Sequence, residues 1–225
     1  MGTGRNRQQC YRVSLDHRRS LTSGTFELHF ARPAGFEFRP GQKITLFGDT
    51  AVRDYTLVGA PEDRTLSICV RHVPGGRLSP ALARAEAGDR FQISAPFGFF
   101  LYQSTGRRAV FAATGTGIAP FVAFVRSGVR GFCLLHGVRT QRQLYYRDIL
   151  SQSAEQYSPC IPGSGAHDGR PPDAYSGRVT GFLENCLSRG TYDFYLCGRR
   201  EMVRDATRII DRRFPDSRVF TETFF

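Results

Sequence analysis

Short apolar stretches rich in β-branched and aromatic residues recur through the first half of the chain. They fall at 11–15, 25–30, 42–47, 55–58, 66–71 and 90–94, with Gly, Pro, Asp and Ser between them. Short strands at this spacing predict a small antiparallel barrel or sandwich. One helix is expected here, at 78–84, opened by Gly75-Gly76. From residue 110 the period changes. Strands at 110–113, 132–135 and 194–197 alternate with helical spacing from 118 onward and at 144–150, 179–187 and 201–214. Such alternation predicts a parallel sheet with covering helices. The break falls in Ser104-Thr105-Gly106-Arg107-Arg108, which divides the chain into 1–104 and 105–225.

The second half opens on 109–120, an apolar strand followed by Thr114-Gly115-Thr116-Gly117-Ile118-Ala119-Pro120. Strand, tight turn and helix leave amides free beside backbone without side chains, where a nucleotide pyrophosphate can approach. Such a turn can also serve only to pack a helix on a sheet, and Ala119-Pro120 departs from the usual Gly-x-Gly-x-x-Gly fingerprint. Pro74-Gly75-Gly76-Arg77-Leu78-Ser79 offers a second phosphate turn, and by itself also fits a hairpin.

Composition narrows the setting. No run of eighteen apolar residues and no leader pattern occurs, so a soluble cytoplasmic protein with no membrane contact is expected. Six scattered cysteines lack any Cys-x-x-Cys pair, which excludes the familiar local zinc and iron–sulfur spacings. No metal site is expected, and most of these thiols should be buried small hydrophobes. The net charge of +11 is divided as +5 and +6 between residues 1–104 and 105–225, with no basic block. That spread argues against nucleic acid and for an acidic protein or anionic small molecule as partner.

Six motifs in order carry a resemblance over nearly the whole chain. They are Arg53-Asp54-Tyr55-Thr56, 74–79, 115–120, Val138-Arg139-Thr140, Cys197-Gly198 and the ending Glu222-Thr223-Phe224-Phe225. In these the chain resembles the ferredoxin–NADP reductase superfamily, especially compact bacterial ferredoxin or flavodoxin reductases. The resemblance implies an antiparallel FAD-binding barrel followed by a five-stranded parallel NAD(P)-binding α/β domain. It implies a monomeric flavoenzyme that moves electrons between NADPH, or NADH, and a small acidic ferredoxin or flavodoxin. A cofactor-binding partner subunit without turnover and an NADH-dependent oxygenase reductase component are the alternatives.

By the same resemblance Arg53 pairs with the FAD pyrophosphate, Tyr55 covers one isoalloxazine face and Thr56 reaches flavin N5. A guanidinium binds phosphate bidentately, and an aromatic ring covers a flat π-system. Gly76 and Ser79 hold FAD phosphates. Thr114, Gly115, Gly117 and Pro120 cradle the dinucleotide, and Cys197 with Glu222 stands near nicotinamide C4 and flavin N5. Phe224 is expected to stack on the other flavin face as a movable gate, with Phe225 beyond it. The arginine that many members place after the third strand is replaced by Cys160-Ile161-Pro162-Gly163-Ser164-Gly165. Arg178 matches a second 2′-phosphate position and favours NADPH, with Arg139 and Arg170 as further candidates.

Overall fold

In the computed structural model, residues 9–49, 51–163 and 171–224 are described. The chain forms two compact units. The first holds residues 1–102 and 122–127, and the second holds 103–121 and 128–225.

The first unit is a six-stranded antiparallel sheet. Its strands are β1 (Cys10–Thr22), β2 (Thr25–Ala31), β3 (Lys43–Phe47), β4 (Val52–Thr56), β5 (Thr65–Arg71) and β6 (Arg90–Ser94), with a short helix α1 (Ser79–Arg84) between the last two. The order is β4-β3-β6-β1-β2-β5. Leu57, just past β4, bridges to Ile68 on β5, and the Val58 amide donates to the Ser67 carbonyl at 2.9 Å. These contacts bring the outer strands together, so the sheet curls into the expected barrel. Leu28, Phe30, Ile44, Leu46, Ile68 and Ile93 fill it, all fully buried. β1 continues well beyond the apolar run at 11–15 because Arg18 and Arg19 still pair with Leu28 and Glu27 while facing solvent. Backbone pairing extends the strand where side-chain alternation stops.

The second unit contains β7 (Arg108–Thr114), β8 (Cys133–Gly137), β9 (Gln156–Ile161), β10 (Tyr175–Ser176), β11 (Tyr192–Arg199) and β12 (Arg218–Phe224). All pair in parallel, in the order β10-β9-β8-β7-β11-β12. The expected five-stranded sheet is therefore six-stranded. Its margins are the two-residue β10 on one side and on the other β12, which pairs along β11 from Arg218 to Phe224. Its helices are α2 (Ala119–Arg126), whose residues from Val122 onward belong to the first unit, α3 (Arg147–Ser153), α4 (Val179–Asn185) and α5 (Arg200–Arg213). α3 begins three residues later than its apolar spacing suggests, because Tyr146 adopts a left-handed φ of 60°. The segment 103–107 is pinned to β11: the Gln103 amide donates to the Tyr195 hydroxyl at 3.0 Å, and the Thr105 hydroxyl donates to buried Asp193.

Candidate functional site

In the first unit the candidate residues sit on β4, at the margin of the sheet. A marginal strand pairs on one side only, so alternate backbone groups remain open to a ligand. Strand alternation places Arg53 and Tyr55 on one face and Thr56 on the other. Arg53 is exposed, and its guanidinium donates to its neighbour Val52 at 2.8 Å. Tyr55 packs against the barrel core, and burial pushes its phenol up to about 12, partly offset by the Arg53 charge. The ring therefore stays neutral over the working pH range. Thr56 is 3% exposed, and among the described residues its Oγ1 has no hydrogen-bond partner. A buried hydroxyl without a partner is costly unless a ligand satisfies it.

The second turn of this unit is organised from within. The Gly76 amide donates to the Val73 carbonyl at 2.9 Å, and the Ser79 Oγ accepts from the Val73 amide at 3.0 Å. Ser79 thus holds the turn with the hydroxyl expected to hold phosphate. Pro80 has no amide and the Ala81 and Leu82 amides donate to the Leu78 carbonyl, so the start of α1 keeps few donors for an anion.

In the second unit β7 begins the sheet, with β8 on one side and β11 on the other. The order of connection reverses there, and in open parallel sheets ligands bind at the carboxyl ends of strands at such a reversal. Thr114 ends β7, and its Oγ1 accepts from the Arg199 amide at 3.0 Å. Gly115-Thr116-Gly117-Ile118 follows as a 3-10 turn leading into Pro120 on α2. A Cβ on Gly117 would overlap the Cys197 carbonyl, and one on Gly198, at φ 143°, would overlap Thr114 Oγ1. The two backbones are stacked as closely as glycine allows, which fixes the turn directly over the end of β11.

Register then places Cys197 between Ala113 on β7 and Glu222 on β12. Cys197 is fully buried. Phe224 pairs with Arg199, two positions further along β12. Arg139 follows β8 in a turn closed by a 3.1 Å bond from its amide to Gln143 Oε1. Arg178 precedes α4 just beyond β10, and both arginines are exposed. The structure thus brings Thr114, Gly115, Gly117, Cys197 and Glu222 to one end of the central strands, with Arg139 and Arg178 following strands on the β8 side. Ser164, Gly165, Arg170 and Phe225 lie outside the described residues.

Cys133 and Cys160 are buried among aliphatic side chains, and burial raises Cys133 to about 11 and Cys160 further still. Both remain thiols and act as packing groups. Cys10 and Cys186 are exposed. Several buried polar residues were not singled out by sequence, Asp193 and His136 among them. His136, fully buried on β8, lies 2.9 Å from the Tyr157 hydroxyl through Nδ1, and burial pulls it down to about 3.

Residues 12–102 match the family described as Oxidoreductase FAD-binding domain, and 111–208 match Oxidoreductase NAD-binding domain. The chain belongs to the ferredoxin–NADP reductase superfamily. Among reductases and reductase components of this superfamily, it is 27% identical over 180 residues to a flavodoxin/ferredoxin–NADP reductase of Escherichia coli, covering 72% of this chain and 73% of that one. It is 29% identical over 224 residues to the toluate 1,2-dioxygenase electron transfer component of Pseudomonas putida, covering 92% of this chain. This chain spans 65% of that relative's length. A ferredoxin NADP+ reductase from Neisseria gonorrhoeae, solved with bound FAD and NADP, has the same fold, with TM-score 0.82, 22% identity and coverage of 96% and 99% of the two chains. No helix among the described residues is long and apolar enough to cross a membrane.

Proposed function

We propose that this ferredoxin–NADP reductase relative is an FAD enzyme that moves electrons between NADPH and a separate small acidic carrier, a ferredoxin or flavodoxin. The division into 1–104 for FAD and 105–225 for NAD(P) belongs to this reading. The observation that carries it is the partnerless buried hydroxyl of Thr56 on a marginal strand that also presents Arg53 and Tyr55. That set fits an isoalloxazine with a pyrophosphate tail: ring cover from Tyr55, charge from Arg53, open backbone groups along β4, and one hydroxyl in need of a partner. A bound flavin accepts a hydride as two electrons and can return them one at a time.

The chain's own residues bind and orient. Thr56 Oγ1, unsatisfied among the described residues, would give a bound flavin ring a hydrogen bond from a small side chain. The Gly115–Gly117 amides and the start of α2 hold pyrophosphate, which aligns the nicotinamide. Cys197 supplies a compact, polarisable wall, and Glu222, its register neighbour, orients that group or moves a proton. Arg178 grips a 2′-phosphate.

Anaerobic titration of the purified protein with each nicotinamide tests this. A yellow protein bleached by NADPH at lower concentration than by NADH is expected, and a colourless protein that retains no FAD overturns it. Arg178→Ala should raise KM for NADPH by roughly 10-fold or more, the worth of a charge-assisted bond, and leave NADH nearly unchanged. The similarity to the toluate component supports a second reading, an NADH-dependent reductase component of an oxygenase. Bleaching favouring NADH, with equal effects of Arg178→Ala on both nucleotides, would select it.

A further inference from the structure

The first unit contains a buried ionic hub that no motif of the sequence accounts for. Glu27 lies on β2 with its side chain fully buried. Its Oε2 accepts from Arg19 Nε at 2.8 Å and lies 3.0 Å from His29 Nε2, while its Oε1 accepts from an Arg126 terminal nitrogen at 3.2 Å. A buried carboxylate is tolerated only when paired and fully hydrogen-bonded. Arg19 and His29 engage Oε2, and Arg126 completes the carboxylate at Oε1.

What Arg126 adds is a second contact. Its other terminal nitrogen donates to the Val58 carbonyl at 2.9 Å. Val58 stands two residues beyond Thr56, where the chain leaves β4 and the Leu57 and Val58 amides donate to Gln42 and Ser67. A guanidinium presents its N–H groups in a rigid planar fork, so holding one arm on a fixed carboxylate aims the other in a fixed direction. Lysine, a point charge on a flexible stem, cannot hold both ends.

We propose that Arg126, clamped by Glu27, is a positioning residue for the flavin site: it fixes the Val58 carbonyl and thereby the backbone that sets the Thr56 hydroxyl. This rests on the reading of Thr56 as a flavin contact.

The test compares wild type, Arg126→Lys and Arg126→Met as full chains. Amide hydrogen exchange over residues 55–58 is followed with and without FAD, alongside FAD affinity by fluorescence titration, the visible flavin spectrum and the melting temperature. Both variants should exchange the Leu57 and Val58 amides about tenfold faster, bind FAD about tenfold more weakly and shift the flavin absorption band. Steady-state KM for the nicotinamide should not change. A lowered melting temperature with wild-type exchange at 57–58 and a wild-type spectrum would mean that Arg126 only stabilises the fold and would overturn the proposal. Should Arg126→Met fail to fold, Arg126→Lys decides by the same readouts. Should wild type retain no FAD, the reading of Thr56 fails, and the exchange comparison still decides whether Arg126 holds the segment.

Discussion

Arg53 and His136 mark two ways in which a single side chain sets chemistry here. Arg53 is exposed, and among the described residues its guanidinium bonds its neighbour's carbonyl, which leaves N–H groups for phosphate. Arg53→Ala should weaken FAD binding by roughly 1.5–3 kcal/mol, about 10- to 150-fold, and the protein should lose colour on a desalting column. Retention of stoichiometric FAD would remove Arg53 from the site. His136 is the opposite case: buried, pulled down from 6.5 to about 3, and therefore neutral when folded. Unfolded, it protonates near 6.5, so the unfolded state binds the extra proton as pH falls. Stability contributed above pH 6.5 is lost progressively between about 6.5 and 3, by about 1.4 kcal/mol per pH unit once well below 6.5. Denaturant titrations at pH 7 and pH 5 should show a larger drop for wild type than for His136→Gln, and equal drops would show that the folded imidazole takes up its proton normally.

At the scale of elements, β12 changes the picture of the chain end. Phe224 is the last paired residue of that strand, opposite Arg199, so a swing of the tail would break sheet pairing. Its ring can move by rotating about χ1 while the backbone stays put. Phe224→Ser should then leave the melting temperature within a few degrees and tighten binding of oxidised nicotinamide to the oxidised enzyme. Loss of ring stacking, roughly 0.5–1.5 kcal/mol, corresponds to about 2- to 12-fold. Unchanged affinity and visible spectra in this variant would show that Phe224 does not compete for the flavin. This strand was not legible in the sequence as a strand: Pro215-Asp216-Ser217 marks its start, but Val219, Phe220 and Phe224 do not alternate with Arg218, Thr221, Glu222 and Thr223. β9 was hidden for another reason, since Pro159 interrupts it and Gln156, Ser158 and Cys160 dilute its apolar run. The barrel strands and the glycine turn were readable, because each joins a periodic run to turn residues, whereas the motif residues on β4 and β11 stood out only through the family resemblance. Glu27 was invisible, because a carboxylate inside 25–30 reads as the polar half of an alternating strand until its partners on β1 and α2 are known.

For the molecule as a whole, a net charge of +11 fits an acidic carrier. Raising ionic strength from about 0.1 to about 1 M shortens the screening length from about 10 to about 3 Å. Reduction of an acidic ferredoxin should slow several-fold over that range while reduction of an uncharged quinone stays constant, and a common response would indicate that long-range charge does not guide the encounter. The marginal position of β4 has a further consequence for the protein before it acquires its cofactor. An open strand carrying half-exposed Val52 is a template on which a second copy can add a strand. The charges of Arg53 and Asp54 on that strand oppose such stacking, and a bound flavin would cover it outright. Arg53→Ala therefore removes a ligand contact and a gatekeeper together, and the colourless variant should precipitate at concentrations where the yellow wild type stays clear.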